Sequence, residues 1–182
     1  RLKADSDVSP ELEAQFLSNP SAVGSILSVK NQARALDADV NDVLNNIDDL
    51  VALTENFHDD DSKLDAVLKN PNKAEMLRDL TGKLDGKEDN LFENLDQLDV
   101  IADLATDFGN DPTKMDTVFA NPEKAGKLRD LNDQLEGKAD NLLTNLDQLD
   151  VIADLATDFE NDPTKMDTIF ANPEKAGKLR DL

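Results

Sequence analysis

The chain has no cysteine, no tryptophan and no tyrosine, and only one histidine among 182 residues. Without cysteine there is no disulfide, no thiolate nucleophile and no cysteine-ligated zinc. Its absence assigns no compartment, because cytosolic and surface proteins alike can do without thiols. No apolar run approaches the 18 or so residues a transmembrane helix needs. Basic charge is scarce: 19 Lys and Arg stand against 40 Asp and Glu, a formal net charge of −21. Nucleic acid is therefore not an expected partner, since a polyphosphate needs a basic patch. An anionic membrane surface is disfavoured for the same reason, which leaves cations and basic protein surfaces. There is no secretion signal, and the first residue is Arg1, as expected of a piece of a longer protein.

What is present is repetition. Leu95-Asp96-Gln97-Leu98-Asp99-Val100 recurs as Leu146-Asp147-Gln148-Leu149-Asp150-Val151, and the segment Asn121–Leu131 recurs as Asn172–Leu182. Both offsets are 51, and the copies 81–131 and 132–182 differ at nine positions. Asn19-Pro20 and Asn70-Pro71 extend the period backwards, and Phe57, Phe108 and Phe159 are equivalent. The chain divides into a partial repeat, 1–29, and three full ones, 30–80, 81–131 and 132–182. The last residues, from Asn172, read as the start of a new helix, as if the array continued.

Each repeat reads as one short and one long helix, so the fold class is all-α. Asp111 suits an N-cap and Pro112 the first helical position, opening a short helix to about Ala120. Asn121 and Pro122 offer the same signals again. From there Ala125, Leu128, Leu131, Leu135, Ala139, Leu142, Leu146, Leu149, Ala153 and Ala156 follow steps mostly of three and four, a heptad seam. That pattern predicts a long helix to about Phe159, roughly 55 Å at the usual rise per residue. Gly86 and Gly137 lie inside this pattern, where glycine can break a helix, but Ala35 at the equivalent place in the earlier repeat favours a continuous one. A stripe of that length must be covered by other helices. The expected architecture is an antiparallel helical bundle or an elongated α-solenoid.

Catalysis has little to rest on. There is no Gly-rich phosphate loop and no nucleophile–base pattern. His58 is replaced by Gly109 and Glu160 in the other copies, and it reads as a solvated loop histidine. Metal binding is the sharper expectation. The loop after each long helix gathers oxygen ligands: Asp107, Asn110 and Asp111 in one copy, and Asp158, Glu160, Asn161 and Asp162 in the next. The first copy offers Asn56, Asp59, Asp60 and Asp61. Calcium takes six to eight oxygens of these kinds, although the spacing is not that of an EF-hand. The competing reading makes Asp111 and Asp162 simple helix caps.

An acidic column also runs along the long segment, through Asp89, Asp96 and Asp103 in one copy and Asp133, Asp140, Asp147 and Asp154 in the next. It reads as a solvated outer face, or as a stripe for a basic partner. Lys124, Lys127 and Arg129 oppose the helix dipole where they stand. They are better placed to meet the acidic end of a neighbouring helix.

Near-identical acidic copies without cysteine, Tyr or Trp resemble the long spacer regions of large microbial surface proteins and adhesin stalks. The likeness is one of composition, and no motif carries it. The expected function is a non-enzymatic spacer of a surface or extracellular protein, rigidified by calcium if the loops bind it. The alternative is an intracellular, cytoplasmic scaffold or filament-forming protein that self-associates or binds partner helices. Expected partners are other repeats of the same protein, a further copy of the chain, or a basic protein.

Overall fold

The computed structural model describes residues 23–36, 38–57 and 60–180. Among them every regular element is a helix and none is a strand. The chain forms two compact units, residues 1–93 and 94–182. The division falls inside the copy 81–131.

The described part of the first unit contains α1 (Val23–Ala35), α2 (Val40–Asn45), α3 (Ile47–Asn56), α4 (Asp61–Lys69), α5 (Ala74–Lys83) and α6 (Glu88–Glu93), with a 3₁₀ turn at Pro71–Lys73. Here α1 packs on α2, α3 and α4, and α3 packs on α4 and α5. Ile26, Val29, Ile47, Leu50, Leu53, Leu68 and Leu77 form its dry centre.

The second unit contains α7 (Leu98–Asp107), α8 (Pro112–Phe119), α9 (Pro122–Gln134), α10 (Ala139–Thr144), α11 (Leu149–Asp158), α12 (Pro163–Ala171) and α13 (Pro173–Arg180). 3₁₀ turns at Leu95–Gln97 and Leu146–Gln148 lead into α7 and α11. The same ten residues, LDVIADLATD, make up both of those helices. α9 is covered on two sides, by α7 and by α11, and α11 in turn packs on α13. The pairs α3–α5, α7–α9 and α11–α13 are thus the same contact at successive offsets of 51.

The short helices form as their residues suggest. Asp111 Oδ1 accepts from the Thr113 and Lys114 amides at 2.9 and 3.2 Å, with Pro112 in the first turn. Asp162 does the same for Thr164 and Lys165, and Asp60 for Ser62 and Lys63. Each cap satisfies amides that have no partner within the helix. Met115, Val118 and Phe119 are the buried face of α8.

The continuous long helix is not formed. The segment from Pro122 to Asp158 is divided into α9, α10 and α11. α9 stops at Leu135; the Lys138 amide then donates to the Leu135 carbonyl at 3.0 Å across a turn in which Gly137 has φ +74°. Gly86 makes the same turn after α5, with φ +76°. Glycine, which has no Cβ, enters this left-handed region at little cost, whereas most L-residues meet a steric penalty there. The turn lets α10 fold onto α8 and α9. A four-residue turn advances the apolar register as a helical turn would. Leu135 and Leu142 on either side of the break are both buried, so the heptad spacing could not reveal it.

Asn121 is not a side-chain N-cap either. Its Nδ2 donates backwards to the Thr117 carbonyl at 2.9 Å, closing the end of α8, and Asn70 does the same to Ala66. The orphan carbonyls at a helix end compete for such a side chain, and here they win.

A Cβ placed on Gly137 would meet nothing within 4 Å, so the only cost of adding one is conformational. Gly137→Ala is expected to destabilise the second unit by about 1 kcal/mol. Urea unfolding followed by circular dichroism measures this. If α9 and α10 preferred to merge, the substitution would instead raise stability.

Candidate functional site

The residues expected to hold a cation lie in the turns after α7 and α11. Gly109 and Asn110 both adopt left-handed conformations, with φ +63° and +56°, and Glu160 and Asn161 repeat them at +53° and +56°. The Asn110 amide reaches back to the Ala105 carbonyl at 2.7 Å, and the Asn161 amide to Ala156 at 2.8 Å. This six-to-one bond closes the helix end much as a Schellman motif does. Asn tolerates this backbone better than most residues do. The turn thus explains Asn110 and Asn161 by conformation.

Three of the carboxylates have structural partners as well. Asp111 and Asp162 are the caps described above. Asp107 Oδ2 accepts from Asn132 Nδ2 at 2.9 Å, tying the end of α7 to α9. Asp158 and Glu160 are exposed. Among the described residues, no three Asp, Glu or His side chains converge where they could hold a metal ion. His58 and Asp59 lie outside the described residues, as does the side chain of Asn56.

Five members of the acidic column, with Asp150 and Asp167 beside them, pair with lysines and arginines of neighbouring segments. Lys63 reaches Asp89 at 2.6 Å, and Lys114 reaches Asp140 at 2.8 Å, the same contact one period on. Lys124 pairs with Asp147 at 2.5 Å, Lys127 with Asp150, and Lys138 with Asp167. Arg129 meets Asp103, and Arg180 meets Asp154. In the first copy Ala52 stands where Asp103 would be. Asp49, one turn earlier on the same helix, supplies the carboxylate to Arg78 instead.

A second recurrent contact went unread in the sequence. Lys63 Nζ lies 5.3 Å from the Phe57 ring centre, Lys114 lies 5.6 Å from Phe108 and Lys165 lies 5.1 Å from Phe159. Each is within cation–π range. The signal was available as a Phe and a Lys six residues apart in every full copy.

The electrostatics follow from these pairs. Asp147 and Asp150 are held below the usual 3.8 by hydrogen bonds from Lys124 and Lys127. The Ser62 hydroxyl and the Lys63 amide lower Asp60. Asp89 raises Lys63 above 10.5. The aspartates are exposed, 95% for Asp147 and 81% for Asp140, so each pair stabilises little and salt weakens it. An open recess in the first unit is lined by Phe57, Lys63, Arg78, Glu88 and Asp89. Its cations already face Asp89 and Asp49.

Comparison with protein-family profiles, with curated proteins and with solved structures gives no match.

Three outcomes follow. Asp111→Ala removes a cap and is expected to cost about 1 kcal/mol, with Asp111→Ser recovering most of it, read by chemical unfolding. Glu160→Gly relieves a left-handed glutamate and is expected to raise stability by about 1 kcal/mol. A carboxylate whose pKa is lowered in the fold stabilises above its unfolded value and loses that contribution as pH falls through the folded value. An NMR titration of Asp147 should therefore have its midpoint below 3.8, returning toward 3.8 in Lys124→Gln.

Proposed function

We propose that the chain is a non-enzymatic spacer segment built from tandem 51-residue helical repeats, acting in a larger surface or extracellular protein. The observation that carries this reading is the use made of its recurrent polar residues. The aspartate caps at 60, 111 and 162 close helix starts, and Asn70, Asn121 and Asn172 close helix ends. The arginines at 78, 129 and 180 tie one helix to the next. Duplicating such a unit adds length without needing new chemistry. Stability in such an array comes from each repeat and its neighbours, as in a solenoid. The surplus of carboxylates keeps the surface hydrated and self-repelling.

One observation favours the alternative, a scaffold or filament that self-associates. Leu179 is 43% exposed, the only large apolar side chain so exposed among the described residues.

Calcium is the open part of the spacer reading. A thermal melt in millimolar calcium, against magnesium and matched sodium chloride, decides it. With Asp111 and Asp162 engaged as caps and Asp107 held by Asn132, every salt is expected to raise the melting temperature equally by screening the charge of −21. A rise specific to calcium would assign the loops as binding sites, because a ligand of the folded state alone stabilises it.

Sedimentation and small-angle scattering together test the spacer itself. The spacer is expected to be a monomer at all concentrations. Its radius of gyration should exceed the roughly 16 Å of a compact chain of this length, and should grow with each repeat added. Mass that rises with concentration would instead support the filament.

A further inference from the structure

The second unit carries an open apolar groove of about 610 Å³ between α12 and α13. Its floor is Phe159, Ile169, Ala176 and Leu179, and Lys165, Lys175 and Lys178 stand around it. None of the three lysines pairs with a described carboxylate. Lys165 lies over Phe159, and Lys175 reaches only the Asn172 side chain, at 3.4 Å.

The same groove exists one period earlier, and there it is filled. Its floor is Phe108, Val118, Ala125 and Leu128, all at most 6% exposed, and Leu128 is 1% exposed against 43% for its counterpart Leu179. The filling is the segment from α10 to the start of α11. α10 lies on α8 and α9, and α11 lies on α9. That segment buries Leu142 and Leu149. It also sets Asp140, Asp147 and Asp150 against Lys114, Lys124 and Lys127, the counterparts of Lys165, Lys175 and Lys178. Floor and rim are therefore both matched to one known sequence.

We propose that the groove between α12 and α13 is a docking site for a further copy of the segment Ala139–Asp150, joined in register after Leu182 as the next repeat. Three aspartates would meet Lys165, Lys175 and Lys178, and two leucines would cover Ile169 and Leu179. The inference rests on the repeat-array reading and adds to it the surface by which one repeat accepts another.

Hydrogen exchange tests it on the full chain extended after Leu182 by a copy of residues 132–158. The amides of α12 and α13 are expected to exchange at least about tenfold more slowly than in the unextended chain. An extension carrying Leu142→Asp should remove that protection. Lys165→Glu with Lys178→Glu should reduce it, and Asp140→Lys with Asp150→Lys in the extension should restore it. Unchanged exchange in the extended chain would overturn the proposal, as would equal protection by the Leu142→Asp extension. Concentration-dependent dimers of the unextended chain that Leu179→Glu dissolves would assign the groove to a second copy instead, and would also overturn it. The outcome is separable from the spacer reading, because a monomeric chain that lengthens with repeat number can exist with this groove left open.

Discussion

An amphipathic helix of ten residues cannot hide its apolar face alone, and the rest of this structure depends on how that face is covered. Leu149, Ile152 and Leu155 of α11 are dry because α9 and α13 lie against the helix. Leu128 and Leu131 of α9 are dry because α7 and α11 lie against theirs. Each such side chain contributes roughly 1.5–3 kcal/mol on burial. The exposed ion pairs around them contribute far less and fade in salt. Burial supplies the stability, and the charges select which neighbour fits and in what register.

That division of labour accounts for the lopsided composition. A chain with 40 carboxylates and 19 basic residues cannot neutralise itself. It places its scarce cations where one helix meets another: Lys63, Lys114, Lys124, Lys127, Arg78 and Arg129 all point at an aspartate of a neighbouring helix. The remaining negative charge stays on the outside, where water and counterions solvate it. The shift from Asp103 to Asp49 as arginine partner shows that the pairing survives relocation of the carboxylate by one turn.

The turns impose the second constraint. Gly86 and Gly137 are the points at which a helix can stop and fold back, because both need positive φ. Asn110 and Asn161 perform the complementary task after α7 and α11. Both kinds of turn are set by backbone conformation. In three dimensions the oxygen-rich loops also serve as caps and reversals: Asp111 and Asp162 cap α8 and α12, and Asn110 and Asn161 turn the chain.

The all-helical class, the 51-residue period, the aspartate caps and most of the buried positions were legible in the residues, because capping and apolar periodicity are local and act within a few positions of the chain. The fate of the long segment was not. Periodicity reports which face is apolar and is blind to a turn that preserves the phase, so Gly137 could be read either way until α10 was found against α8 and α9. The acidic column was visible as a pattern, but its partners lie 23 to 26 residues away in sequence, as from Lys124 to Asp147 and from Arg129 to Asp103. Local chemistry determined the helices and their ends. Only tertiary packing decided where the chain reverses and which charges meet, because those depend on the burial of faces that no short stretch of sequence can cover for itself.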